Sequence, residues 1–337
     1  METYSEKKRL PEFLNEEELA RFQAHPSINF FRPSVKDIKN AWLTYSGICF
    51  KPFFLFKESI YWHSYSPYRF YAQSIFNLIV KKRHFYEGSY AFIHTPWSIV
   101  NYYHWLADSM PRLLPLLDSI QDLVLLLPEK TSDVAFIQES LRLIGIKNII
   151  YINASEVNCI ERLTLVEITP GNYRLTNDLK PTVQFLKKKA GAISCMPTQR
   201  IYLTRRNMGY RTLENETEVC KLLSTYDFKI VEADRLSFIE QVKLLNETRY
   251  MVAVHGAAIT NCIFMQPASS VLELHPDIDS PEKTLNVSYW NLAEHFKLNY
   301  YFLGCKSVNA TERFHTANLR VDVGKMEMIL KRMLSSF

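Results

Sequence analysis

Glycine is scarce in this chain, with nine in 337 residues. That excludes a long glycine-rich phosphate loop, and neither a Walker-type loop nor a G-x-G-x-x-G turn occurs. Each glycine that does stand in a turn carries more weight. The six cysteines (Cys49, Cys159, Cys195, Cys220, Cys262, Cys305) form no C-x-x-C pair and sit at no zinc-ligand spacing with the histidines. Several lie in apolar runs, as buried free thiols do, which predicts a reducing compartment. Residues 1–9 lack the apolar core of a signal peptide, and no segment is apolar for long enough to span a bilayer. The expectation is a cytoplasmic protein. The Asn-x-Ser/Thr triplets at Asn153, Asn215, Asn246, Asn286 and Asn309 are then chance occurrences. Neither charge sign dominates: the net charge is +5. The basic clusters Lys7-Lys8-Arg9, Lys81-Lys82-Arg83 and Lys187-Lys188-Lys189 are short and lack the aromatic interleaving of a single-strand binder, so no nucleic acid is expected. They leave open a peripheral contact with the inner membrane.

What is present is an ordinary globular composition, 47% apolar and 22% charged, with many aromatics. The aromatic run from Phe50 to Phe56 is expected in the core, since such runs usually are. Residues 1–35 form a polar lead-in with one short helix, capped by Asn15 with Glu16, Glu17 and Glu18 in its first turn. From residue 88 the pattern alternates. Strands are predicted at 90–93, 123–127, 148–152 and 163–168. Helices are predicted at 98–117, bent at Pro111 and Pro115, and at 133–144 and 177–190. After a linker at 191–198, strands are predicted at 201–204, 229–232, 251–254, 270–274 and 300–303. The intervening helices fall at 214–223, 237–245 and 288–295, and the second has Ser237 capping with Glu240 at the box position. Such alternation predicts an α/β chain of two parallel-sheet domains with a cleft between them. The boundaries are 1–192 and 198–320, and a last helix in 321–337 is free to pack back on either domain.

Four groups of residues could carry chemistry. In the first, the apolar run Tyr250-Met251-Val252-Ala253-Val254 stops at His255-Gly256-Ala257-Ala258, a strand, a turn of small residues and a helix start. Small side chains let a ligand approach the backbone, and a helix N-terminus favours an anion. The alternative is a plain turn with a hydrogen-bonded histidine. In the second, Arg205 and Arg206 leave the C-terminal end of the first strand of the second half, on the same rim of the sheet, where guanidinium forks bind phosphate oxygens. Asn215 and Glu216 open the next helix, with Glu216 a helix-start charge or an orienter for an arginine. Glu273, near the end of an apolar strand, is expensive to bury without a partner and could reach ribose hydroxyls. In the third, His104, Asp108 and Arg112 recur at i, i+4 and i+8 among bulky apolar residues, a polar stripe on one helix face. Either His104 or Asp108 can accept a proton near neutral pH. In the fourth, Asp277-Ile278-Asp279 has the form of a diphosphate-metal pair, a weak signal in a single triplet.

Taken in order, these residues resemble glycosyltransferase family 61, whose members include plant xylosyl- and arabinosyltransferases, animal O-linked N-acetylglucosaminyltransferases and bacterial proteins of capsule synthesis. The resemblance rests on Tyr103-His104-Trp105-Leu106 with Asp108, Pro111 and Arg112; on Ile201-Tyr202-Leu203 with Arg205 and Arg206; on Arg211 with Asn215 and Glu216; and on Phe238 with Glu240-Gln241-Val242. It continues through His255-Gly256-Ala257 with Thr260, Asn261, Phe264 and Met265, and through Val271-Leu272-Glu273-Leu274. It implies a GT-B architecture, two Rossmann-like domains facing a cleft, and an inverting, metal-independent transfer from a UDP-sugar to a hydroxyl of a glycan or glycoconjugate. Secretory-pathway members carry a membrane anchor; without one, a bacterial-type cytoplasmic enzyme of surface polysaccharide synthesis is expected.

On that reading the diphosphate sits at His255, Gly256, Ala257 and Ala258 and is clamped by Arg205 or Arg206. Glu273 holds the ribose, and Asn261 supports the turn or touches a phosphate. Asp108, or His104 oriented by Asp108, takes the acceptor proton, with Arg112, Asn215 and Glu216 in support. No cofactor or metal is expected. The competing readings are a metal-dependent transferase using Asp277 and Asp279, a silent nucleotide-sugar or glycan binder, and a membrane-surface scaffold.

Overall fold

The computed structural model describes residues 3–60, 67–168, 174–192, 194–276, 285–308 and 316–335; Asp277 and Asp279 lie outside them. Contacts divide the chain into two units, Met1–Ser5 with Asn29–Lys189, and Glu6–Ile28 with Ala190–Phe337. Near the start stand β1 (Thr3–Lys7), α1 (Glu16–Gln23) and β2 (Ser27–Phe31). The first unit continues with β3 (Val35–Leu43), β4 (Cys49–Lys51), β5 (Phe54–Leu55), α2 (Pro67–Val80) and β6 (Lys82–Phe92). Then come α3 (Tyr102–His104), β7 (Val124–Pro128), α4 (Ala135–Ile144), β8 (Asn148–Ile152), β9 (Glu156–Val166), β10 (Leu175–Thr176) and α5 (Leu179–Lys189).

Its main sheet has the order β5-β4-β3-β9-β6-β7-β8. β9, β6, β7 and β8 run parallel, while β3, β4 and β5 are antiparallel additions. The expectation of a purely parallel sheet therefore fails in this unit. β7 has the continuous apolar run of a strand covered on both faces, with Leu125, Leu126 and Leu127 buried. β3 instead presents Asp37 and Lys39 to solvent. The aromatic run also divides: Phe50 is buried in the core, whereas Phe53, at the β4–β5 turn, is 95% exposed.

The second unit adds β11 (Gln199–Leu203), α6 (Glu216–Ser224), β12 (Lys229–Val231), α7 (Phe238–Asn246), β13 (Thr248–Val254), β14 (Ser270–Pro276), α8 (Ser288–His295), β15 (Asn299–Ser307), β16 (Leu319–Arg320) and α9 (Val323–Ser335). The strand order is β12-β11-β13-β14-β15-β16, parallel except for β16. The chain steps from β11 outward to β12, then returns to the other side of β11 for β13, β14 and β15. This is a doubly wound order, and its direction reverses between β11 and β13, where such sheets bind ligands. Ser237 caps α7 with Glu240 in a capping box, and Asn15 caps α1 with Glu18 in the same way.

Val219 and Leu223 of α6 and Met326, Ile329, Leu330 and Met333 of α9 share a core with Val252, Leu272 and Leu303 of the sheet. The last helix thus packs within its own unit. Residues 6–28, placed by sequence with the N-terminal half, belong here too. Phe22 of α1 is wedged edge-on against Trp290 at 4.8 Å and Phe302 at 5.0 Å. No helix among the described residues is long and apolar enough to cross a membrane.

Candidate active site

In the first unit the chemistry gathers where β6 gives way to a helical segment. Asn101 caps it, accepting a bond from the Tyr103 amide at 3.0 Å. After α3 the backbone widens to a π-turn over Trp105–Ser109 and tightens to a 3₁₀ helix over Met110–Ser119. Pro111 and Pro115 have no N–H to give, so regular α-helical bonding cannot run through them. Trp105 is fully buried and its indole donates to Ser140 Oγ of α4 at 2.9 Å, which fixes the segment to its neighbour.

His104 Nδ1 and Asp108 Oδ2 are 2.7 Å apart. Asp108 is only 3% exposed, whereas 21% of the His104 side chain reaches solvent. The carboxylate therefore sits behind the imidazole and fixes its orientation, which leaves Nε2 as the ring nitrogen not engaged by Asp108. Of the two candidates the sequence offers, it is therefore His104 that faces solvent. Trp97, about half exposed, lies 6.2 Å from the His104 ring, ring to ring. It was not singled out from sequence because a lone tryptophan before a helix carries no spacing signal.

Arg112 is not part of an open polar stripe. It is buried, with Nε and Nη2 donating to Val166 O at 2.8 and 2.6 Å and Nη1 to His94 O at 3.2 Å. Burial lowers its pKa to about 9, and Asp108 works in the opposite direction. It braces the sheet ends beneath the pair.

In the second unit the residues lie at the reversal point. Arg205 leaves β11 and His255 leaves β13. Arg205 is 8% exposed, and its Nε and Nη2 have no hydrogen-bond partner. Burial, and then the charge of Arg211, lowers its pKa. A buried guanidinium with open N–H groups is costly unless an anion completes it. The small residue of the turn makes room for it: a Cβ on Gly256 would fall 2.2 Å from Arg205 Nη1. Tyr210 carries both Arg205 and Arg211 on its ring, each 5.4 Å from the centroid. Arg211 itself has a left-handed backbone, φ 52°, and donates to His255 O at 3.0 Å.

His255 Nδ1 is hydrogen-bonded to Glu273 Oε1, and Tyr300 OH donates to Glu273 Oε2 at 2.6 Å. Glu273 is 0% exposed, because β14 continues past it to Pro276. Both carboxylate oxygens are engaged inside the unit, by His255 and Tyr300, whereas the ribose role expected of it calls for an exposed carboxylate. Glu273 orients His255 instead. Burial raises its pKa to about 7 against the opposing pull of His275, Tyr300 and Arg211. His275 packs on His255, ring centroids 4.8 Å apart, and Tyr289 does so at 5.2 Å. Burial lowers the His275 pKa to about 3, so that ring is neutral.

The remaining expected residues are accounted for. Ala257 opens the 3₁₀ helix Ala257–Phe264, and Ala257 and Ala258 are half-buried. Asn261 is buried and donates to Gln241 Oε1 at 2.8 Å, which ties the turn to α7. Glu216 accepts from Tyr202 OH at 2.9 Å and from Thr204 Oγ1, and lies 3.9 Å from Arg206 Nε. It orients Arg206, which is the more open of the two arginines. Asn215 clamps Val321, accepting from its N–H and donating to its carbonyl, both at 3.0 Å.

Among the described residues, His255, Glu273 and His275 have ligand atoms within 4.8 Å of one another, close enough to consider a metal. Hydrogen bonds already engage the Nδ1 of His255, through Glu273, and the Nδ1 of His275, through Pro276 O at 2.6 Å. The three are buried, and a metal site needs an entry path.

The family model described as Glycosyltransferase 61 matches residues 102–272, about half of the chain. A xylan glycosyltransferase of Arabidopsis thaliana is 32% identical over 71 residues, 20% of this chain and 14% of that protein. The EGF domain-specific O-linked N-acetylglucosamine transferase of Bos taurus is 28% identical over 81 residues, 23% and 15% of the two chains. Its Drosophila melanogaster counterpart is 33% identical over 85 residues, 23% and 16%. Each match spans less than a fifth of the relative's own length.

Proposed function

The chain belongs to glycosyltransferase family 61, and from that premise we propose that it moves a sugar from a UDP-sugar to a hydroxyl of a glycan or glycoconjugate acceptor, with inversion, in bacterial surface polysaccharide synthesis. The observation that carries this reading is Arg205: a buried guanidinium with two nitrogens lacking a hydrogen-bond partner, at the reversal point of a doubly wound sheet, beside a glycine whose missing side chain leaves it room. A diphosphate supplies the anion that such a group lacks. As the glycosidic bond breaks, negative charge grows on the leaving UDP, and a cation already fixed in place stabilises it. Arg211, on the same tyrosine ring, adds to the field. His255 stands on the donor side, its ring set by Glu273.

The N-terminal unit supplies the base. His104 Nε2 takes the proton of the acceptor hydroxyl as its oxygen attacks the anomeric carbon on the face opposite UDP. Asp108 holds the ring and balances the imidazolium that forms. Trp97 offers a half-exposed aromatic face on which a sugar ring can stack. This division of labour is that of a GT-B enzyme, one unit for the donor and one for the base. With arginines neutralising the diphosphate, the reading requires no divalent metal and predicts transfer that survives excess chelator.

The test is a pair of variants read two ways. His104→Ala is expected to lower turnover about 10²–10⁴-fold while UDP affinity by calorimetry stays near wild type. Arg205→Ala is expected to weaken UDP about tenfold or more. Near-normal turnover in the first would remove His104 as the base, and unchanged affinity in the second would remove the clamp.

A further inference from the structure

α2 carries an outward apolar ridge beside an inner face on which Ile75 and Leu78 are half-buried. Among its residues whose exposure is described, Arg69, Ala72, Gln73, Phe76, Ile79 and Val80 are exposed, spaced three and four apart along one stripe. Ser74 is buried and Asn77 half-buried on the other side. Three large apolar groups point outward: Phe76 is 55%, Val80 56% and Ile79 75% exposed. Phe85, 65% exposed at the start of β6, follows closely. Cations lie between and beside them. Lys82 keeps 76% of its side chain in solvent, with its Nζ 3.5 Å from Glu156. Arg83 is turned back onto α2, its Nε donating to Leu78 O at 3.2 Å, and Lys81 Nζ bonds Ala154 O at 2.6 Å. Arg69 adds a further cation on the stripe. Glu156 is the acid in contact with this group.

We propose that this face of α2, with the Lys81–Phe85 stretch after it, is a docking surface for an anionic lipid bilayer. A helix whose apolar ridge faces outward, with lysine and arginine at its end, lies in the plane of a membrane interface. The ridge enters the acyl boundary and the cations meet the headgroups. Long basic side chains reach the headgroup level while their stems stay apolar. Charge selects the occupant: among the described residues the cations Arg69, Lys81, Lys82 and Arg83 outnumber the carboxylates Glu156 and Glu87 beside them, which favours an anionic surface over a neutral one. The proposal concerns where the protein works and is independent of the reaction assigned above.

The experiment is co-sedimentation of the full chain with vesicles of phosphatidylcholine alone or phosphatidylcholine mixed with phosphatidylglycerol. Binding is expected to the mixed vesicles, to weaken with salt, and to be slight with phosphatidylcholine. Ile79→Ser with Val80→Ser is expected to lower the partition about tenfold or more. Lys82→Gln with Arg83→Gln should lower it about 25-fold, about fivefold for each charge removed. Both pairs change exposed residues, so thermal unfolding should stay cooperative with an unchanged midpoint. Absent binding to the anionic vesicles, equal binding to both compositions, or full binding by the Ile79/Val80 variant would overturn the proposal. So would a wild-type dimer that this variant dissociates and that never binds vesicles, since a second copy would then cover the face.

Discussion

At the level of single residues, the small size of Gly256 matters more than its conformational freedom. Its φ of 164° is ordinary extended backbone. What forbids a side chain there is the guanidinium 2.2 Å from the place a Cβ would take. Gly256→Ala is therefore expected to push Arg205 aside and to cut UDP affinity about tenfold while the protein still unfolds cooperatively. Calorimetry on that variant decides it; wild-type affinity would mean that the guanidinium does not need the space. The pair His104 and Asp108 carries a different lesson. Four-residue spacing made their contact legible in the sequence, but not which of the two is buried. That order decides which one meets a substrate. Asp108→Asn should therefore slow transfer through a misoriented His104 while UDP affinity by calorimetry stays near wild type, and near-normal turnover would count against the pairing.

At the level of elements, the segment from Tyr102 to Ser119 shows why a regular helix was the wrong expectation. Extrapolating i, i+4 and i+8 assumed constant pitch, whereas the backbone changes from α to π to 3₁₀ within three turns. Arg112 thereby turns inward and joins two strand ends through three bonds to backbone carbonyls. Arg112→Met is expected to cost about 2–6 kcal/mol, since it leaves the buried Val166 and His94 carbonyls without their donors, at about 1–3 kcal/mol each. Urea unfolding measures it, and a loss under about 1 kcal/mol would mean that the carbonyls find other donors. The helices of the second unit were legible from their caps, and β13 from its unbroken apolar run. The antiparallel strands β3 to β5 were not. They are short or interrupted, Asn40 has a left-handed φ of 51°, and β3 has one wet face. Glu273 was misplaced because sequence does not say where a strand stops. Three more residues of β14 put it in the interior.

For the whole molecule, acid should be destabilising earlier than carboxylate protonation alone would make it. His94 and His275 are buried, and burial lowers both pKa values to about 3 from 6.5. A histidine held neutral in the folded state contributes fully above its unfolded pKa. The contribution is lost as pH falls below about 6.5 towards 3, because the unfolded chain takes up the proton first. At pH 5.5 the two together should cost about 2–3 kcal/mol. The urea midpoint is expected to drop between pH 7.5 and 5.5, and a flat midpoint over that range would contradict the assignment. Glu273 acts in the opposite sense: burial raises its pKa to about 7, so its contribution is greatest in acid and fades as pH rises from about 4.5 to 7. The histidine loss is predicted to dominate because two groups, each shifted further, oppose one.

The lead-in around Phe22 sets a condition on how the protein can be made. The C-terminal unit is assembled from two stretches separated by Asn29–Lys189 of the other unit. Glu12 pairs with Arg332 at 2.8 Å, and Glu18 lies 3.7 Å from Lys325. During synthesis residues 6–28 emerge first and must wait, with Phe22 uncovered, until Trp290, Phe302 and α9 have left the ribosome. A gene cut at residue 190 to express the C-terminal unit alone would omit that plug, leaving an apolar notch between α8 and β15 for water or another chain to fill.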